Sequence, residues 1–186
     1  MPEISEITKA LRLLVVDAQD PFLKVIPNAD DLVDRIDFAI QAAKLFQIKI
    51  ALTEQLPEKL GKTTSVISKH VETDFVFEKS SFSALGAEGL LSFLKKTGSK
   101  HLLIAGLETP ICIYQTVLDA MAQDFEVTVL SDCVGCRRQQ DADEIFATLR
   151  ASGCHILPSE AIFYSILGDS KHSCFKEYSQ LIKQYG

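Results

Sequence analysis

The chain has 186 residues, 47% of them hydrophobic, enough to bury one substantial core and short for two, so a single domain over residues 1–186 is predicted. Its 19 basic and 25 acidic residues leave a net charge of -6 with the cations scattered, which argues against nucleic acid or an anionic membrane as a partner. No apolar run approaches bilayer length, the opening Met1-Pro2-Glu3-Ile4-Ser5-Glu6 has no targeting pattern, and five cysteines cannot all pair, so a cytoplasmic protein without structural disulfides is expected.

Along the chain, short β-branched and aliphatic runs alternate with longer amphipathic stretches, the pattern of a parallel sheet with crossover helices. The strand candidates are residues 11–17, 48–53, 74–77, 101–106, 125–131 and 155–157. Between the first two, Leu32, Val33, Ile36, Ile40 and Ala43 recur at helical spacing, with Asn28 placed to cap the start. Further helices are predicted over 86–97, 111–123, 141–152, 159–167 and 174–184, with Gly98 and Gly153 where C-terminal caps belong. Residues 54–73, with Pro57, Gly61 and a polar interior, read as a loop or broken helix, the natural place for a lid or part of a pocket.

In open α/β sheets ligands bind beyond the carboxyl ends of the strands, so polar residues that end apolar strands are the first candidates. Leu13-Leu14-Val15-Val16 runs into Asp17, Val76-Phe77 leads to Glu78-Lys79, and Leu102-Leu103-Ile104-Ala105-Gly106 leads through Leu107-Glu108-Thr109-Pro110 to Cys112. Taken singly, such an aspartate is more often a turn residue, such a lysine a solvated charge and such a cysteine an inert buried thiol. Together they would share one rim. A thiol attacks as thiolate, favoured by a nearby cation or a helix N-terminus. Pro110 predicts a helix start that puts Cys112 in the first turn, Lys79 adds a positive charge, and Asp17 can take the thiol proton and later activate water.

Val15-Val16-Asp17-Ala18-Gln19, Phe77-Glu78-Lys79-Ser80-Ser81-Phe82 and Gly106-Leu107-Glu108-Thr109-Pro110-Ile111-Cys112 resemble the three catalytic segments of the isochorismatase-like cysteine hydrolases, in family order. The resemblance extends to Ser159-Glu160-Ala161 and to Leu167-Gly168-Asp169-Ser170-Lys171-His172, as in the isochorismatase domain-containing branch. It implies a Rossmann-like three-layer α/β/α sandwich with a six-stranded parallel sheet in the order 3-2-1-4-5-6, which sets the first and fourth strands side by side. It also implies a catalytic triad of Asp17 as base, Lys79 as activating charge and Cys112 as nucleophile. A cis peptide between Leu107 and Glu108 and an oxyanion hole from the backbone N–H groups of Glu108 and Cys112 belong to the same pattern, as does a homo-oligomer. Phe22 and Ile111 fall beside the family's pocket, and Gln19 and Gln55 are placed to orient a polar substrate.

Nicotinamidases of the family hold a metal through an aspartate and two histidines after the second strand. Here that stretch reads Thr53-Glu54-Gln55-Leu56-Pro57, so no metal and no cofactor are expected. Cys133-Val134-Gly135-Cys136, expected in a loop after the fifth strand, lacks the helix start of a redox pair, and Cys154-His155 cannot both turn inward to complete a zinc site. The expected activity is therefore metal-independent hydrolysis of a small amide, imide or related acyl substrate through a Cys112 thioester. The rival reading is a catalytically silent binding or scaffold member of the same fold, and nuclease activity fits the acidic chain least.

Overall fold

The computed structural model describes residues 6–185, so the opening residues 1–5, read above for a targeting pattern, lie outside the described part. The described residues form one six-stranded, wholly parallel sheet in the order β3-β2-β1-β4-β5-β6, the topology predicted. Its strands are β1 (Leu11–Val16), β2 (Lys49–Gln55), β3 (Val76–Lys79), β4 (His101–Leu107), β5 (Glu126–Gly135) and β6 (His155–Leu157).

Alternation along β1 explains the three layers. Leu11, Leu13 and Val15 enter one core and Leu14 and Val16 the other, since successive side chains of a strand point to opposite faces. Helices cover both faces, so the strand is apolar throughout. On one side lie helices Ala29–Leu45, Ser159–Leu167 and Phe175–Tyr185, joined by Phe38, Phe46, Phe163 and Tyr178. The Phe46 and Phe163 rings stack with centroids 6.0 Å apart. On the other side lie Leu90–Lys96, Tyr114–Ala122 and Gln139–Ala151, which contribute Leu90, Leu94, Val117, Ala120 and Leu149. Among the described residues no helix is long and apolar enough to cross a membrane.

Several boundaries depart from expectation for local reasons. Gly89 at φ +83 precedes the helix predicted from residue 86 and delays it to Leu90. Asn28 adopts φ +54 and its side chain makes no capping bond, so the helix Ala29–Leu45 starts without the predicted cap. Gly98 and Gly153 take positive φ just past their helices, as predicted. β5 continues through Gly135, which places Cys133 within a strand and not in a loop. β3 likewise runs to Lys79, making that lysine a strand end.

The expected lid segment is tied down along its first half. Its start is still β2; Glu54 Oε1 then accepts from Thr63 N at 2.7 Å, and Thr64 N donates to Ala18 O at 2.9 Å. It folds back over the end of β1 as a fixed wall.

Gly106 lets the two central strands close on the site. It pairs with Val16, has φ +111, and a Cβ there would stand 2.0 Å from the Val16 carbonyl oxygen. Backbone faces backbone at this point, so no rotamer change relieves the clash. Gly106→Ala is expected to cost on the order of 3 kcal/mol or more, lowering the melting temperature by roughly 6–12 °C. Thermal unfolding followed by circular dichroism checks this.

Candidate active site

At the carboxyl edge of the sheet, β1, β3 and β4 deliver Asp17, Lys79 and Cys112 to one buried point. Asp17 follows β1 with φ +51, a turn that takes its carboxylate out of the strand's alternation. Thr53, paired with Val16 across β2, fixes it: Thr53 Oγ1 donates to Asp17 Oδ1 at 2.8 Å, and Asp17 N donates to Thr53 O at 3.1 Å. Asp17 Oδ2 lies 2.6 Å from Lys79 Nζ, with the two side chains 1% and 0% exposed. This is an ion pair outside hydrogen-bond alignment, so Oδ2 keeps a free acceptor direction inside the protein.

Lys79 Nζ is also bound to Gln55 Oε1 at 2.6 Å, to the carbonyls of Ser81 at 3.0 Å and Phe82 at 3.2 Å, and to Cys112 Sγ at 3.8 Å. A buried ammonium needs such a set of acceptors, because unpaired charge away from water is costly. The loop after β3 is thus wrapped around the cation.

Cys112 reaches this point from a turn that continuous α-helix would not give. The Leu107–Glu108 peptide is cis, and Thr109–Ile113 forms a π-helical turn before the helix Tyr114–Ala122. Ile113 N donates to Glu108 O at 3.2 Å, and Thr109 Oγ1 donates to Gly135 O at 3.1 Å, tying the turn to β5. Glu108 is held from the other side, its Oε1 accepting from Arg137 Nε at 2.9 Å and Arg137 N at 3.1 Å.

The electrostatics reverse one expectation. Lys79 favours the thiolate, as predicted, and so does the Glu108 backbone N–H, but burial, the Asp17 charge and the hydrogen bond to Asp17 outweigh them, and the Cys112 thiol is pushed up to about 12. The group is favoured as a thiol, with the Asp17 carboxylate beside it.

A cavity of about 90 Å³ opens at the sulfur, lined by Asp17, Phe22, Gln55, Phe82, Leu107, Glu108, Ile111 and Cys112. Gln55 lines the cavity, but its amide is held at both ends, by Lys79 Nζ and Ser80 O, and not aimed at a substrate; Phe22 and Ile111 are where the sequence put them. Gln19 is not: it is wholly buried, its Oε1 accepts from Gln55 N at 2.7 Å, and its Nε2 donates to the carbonyls of Gln55 and Gly61. Both ends of its amide are spent on the wall, so it orients β2 and not a substrate. Thr53 and Phe82 were missed. Thr53 ends an apolar strand and could have been flagged by the rule that found Asp17; Phe82 stood in a quoted segment with nothing to mark its ring.

Elsewhere, a wider hollow of about 410 Å³ lies between the helix Ala29–Leu45 and the end of β5. Its Arg35 and Asp132 are mutually satisfied at 2.7 Å, with Ser159 Oγ and N completing the carboxylate. Cys133 is buried in the core and Cys136 Sγ donates to Arg138 O at 3.0 Å; all five cysteines are free. Among the described residues no group of three His, Cys, Asp or Glu side chains is placed to hold a metal ion.

Comparison with known proteins agrees with this architecture. The chain is 30% identical over 172 residues to isochorismatase domain-containing protein 2 of Xenopus laevis, covering 92% of this chain and 83% of that protein. It is 30% identical over 177 residues to the secreted isochorismatase effector Isc1 of Phytophthora sojae, covering 93% and 84%. A solved structure described as the MAR1 ribonuclease of Caenorhabditis elegans superposes with a TM-score of 0.88 at 28% identity, covering 95% of this chain and 91% of that one. The family model for the isochorismatase domain matches residues 12–161, and this chain belongs to the isochorismatase family.

Proposed function

We propose that the protein is a cysteine hydrolase that cleaves small amides, imides or related acyl compounds through a thioester on Cys112. The observation that carries this reading is the buried cluster in which one lysine ammonium touches both the Asp17 carboxylate and the Cys112 sulfur. Structural ion pairs need no thiol, and inert buried cysteines need no neighbouring base.

For an amide the steps run as follows. The sulfur attacks the carbonyl carbon while Asp17 takes the thiol proton, so no free thiolate has to accumulate. The S–C bond forms and the carbonyl π pair moves to oxygen, where the backbone N–H groups of Glu108 and Cys112 are the donors we assign to the oxyanion. Collapse breaks the C–N bond, and the amine leaves with the proton held by Asp17. Water then attacks the thioester, giving its proton to Asp17; the S–C bond breaks, the sulfur recovers the proton, and the acid departs. Lys79 holds Asp17 in place through the cycle, and the cycle routes no step through a metal.

A ribonuclease description belongs to the C. elegans protein. Phosphodiester cleavage calls for cations around the scissile phosphate, and none of the described residues lining this cavity is cationic, which supports acyl chemistry here.

Cys112→Ala is expected to lower kcat/KM by at least ~10³-fold and to abolish the acyl-hydroxamate formed when hydroxylamine intercepts the thioester. Asp17→Asn is expected to lower it by about 10²–10⁴-fold. Turnover that survives Cys112→Ala overturns the proposal.

The raised thiol gives a pH signature. Below a value of about 12 the thiolate fraction rises about tenfold per pH unit, so alkylation of Cys112 by iodoacetamide should climb from pH 7 to 10 without a plateau. Removing the Asp17 charge while Lys79 remains lowers the thiol's proton affinity. Asp17→Asn should therefore alkylate faster than wild type at pH 8 although it hydrolyses more slowly, as measured by peptide mass mapping over time.

A further inference from the structure

The cavity above Cys112 is small, about 90 Å³. Its walls away from the reacting groups are Phe22, Phe82, Leu107 and Ile111, and no lining residue among those described is a cation. Lys79 does not line the cavity, and five acceptors within reach exceed the three protons on its Nζ. Arg137, further along the rim, is bound through Nε to Glu108. The charged groups that line the cavity are the carboxylates of Asp17 and Glu108, each already paired with its own cation. A substrate carboxylate seated here would lose its hydration and find no free cation to pair with, a penalty that desolvation leaves uncompensated. A short hydrocarbon segment would instead gain by leaving water.

The geometry points to uncharged, short-chain carboxamides as the substrate class, with Phe82 as the residue that limits acyl length. This rests on the reading of Cys112 as nucleophile. An amide of two to four carbons matches the volume, and its ammonia is small enough to form and leave beside Asp17. Phe82 is unusual for an aromatic ring at such a site, being 56% exposed. Packing does not hold it there; its carbonyl does, accepting from Lys79 Nζ at 3.2 Å. The backbone anchor and the side chain are therefore separable, and shortening the side chain leaves the Lys79 contact in place.

The test compares ammonia release from propanamide, butanamide, hexanamide and succinamate, the last a butanamide-sized amide that carries a carboxylate. Butanamide is expected to exceed succinamate in kcat/KM by at least about tenfold. In Phe82→Ala the hexanamide to propanamide ratio should rise by about tenfold, the effect of relieving one or two methylenes of steric exclusion. A second readout needs no turnover: the rate ratio of iodoacetamide to iodoacetate at Cys112, divided by the same ratio for glutathione, should exceed about ten. Succinamate cleaved as fast as butanamide, or an alkylation ratio no greater than that of glutathione, overturns the exclusion of charge and leaves the thiol mechanism standing. Failure to cleave any uncharged amide overturns the carboxamide assignment, and an unchanged chain-length ratio in Phe82→Ala removes Phe82 from its role. Turnover retained by Cys112→Ala sinks the underlying mechanism instead.

Discussion

The ammonium of Lys79, wholly buried against the carboxylate of Asp17, is the contact on which the rest of the site depends. Two charges taken out of water repay their desolvation only when nearly every remaining donor and acceptor is met. The surroundings of Lys79 follow from that requirement. Gln55 turns its amide oxygen to Nζ, and the chain after β3 bends so that two successive carbonyls, Ser81 and Phe82, face it. Thr53 occupies the other carboxylate oxygen, and Gln55 Nε2 is held in turn by Ser80 O at 2.9 Å. The one acceptor direction left open is on Asp17 Oδ2, beside the thiol. A polar group left underused inside an otherwise satisfied network calls for an explanation, and the base role proposed for Asp17 supplies one.

The same interaction decides what the thiol is at rest. A lysine near a cysteine invites the view that it makes a thiolate. With Asp17 closer in effect than Lys79, and with burial acting against charge, the group stays protonated and its proton has a defined destination. In the proposed mechanism, nucleophile and base form one unit whose activation is deferred until an electrophile arrives. Such a site also protects itself, since a permanently ionised thiol would react with any passing oxidant.

Bringing β1 and β4 close enough for this cluster requires a backbone with no side chain in the way, which is the part played by Gly106 opposite Val16. Beyond it the chain turns through Glu108 and the π-helical segment Thr109–Ile113, braced by Gly135 and Arg137 from the neighbouring strand end. Adjacent strands therefore both supply the reacting groups and steady the turn that presents them. The apolar cavity is what remains between that turn, Phe22 from the short helix Asp20–Leu23 after β1 and Phe82 from the loop after β3.

The layers and the meeting of Asp17, Lys79 and Cys112 were legible in the sequence, because apolar periodicity sets which face each element buries and strand ends of a parallel sheet share one rim; the strand order came only with the resemblance to the family. Element ends were less legible: Gly89 and Asn28 act through backbone angles that composition does not fix, and Cys133 proved to belong to a strand that outran its apolar run. What the tertiary structure alone decided were quantities that depend on several chains of contact meeting at one point. It spent the amide of Gln19 on the wall, brought Thr53 and Phe82 into the site, and reversed the sense of the thiol's proton affinity. The physical reason is common to all of these. Periodicity and residue type determine which way a side chain faces, whereas the balance between burial, a carboxylate and an ammonium turns on separations of a few ångströms between residues far apart in the chain.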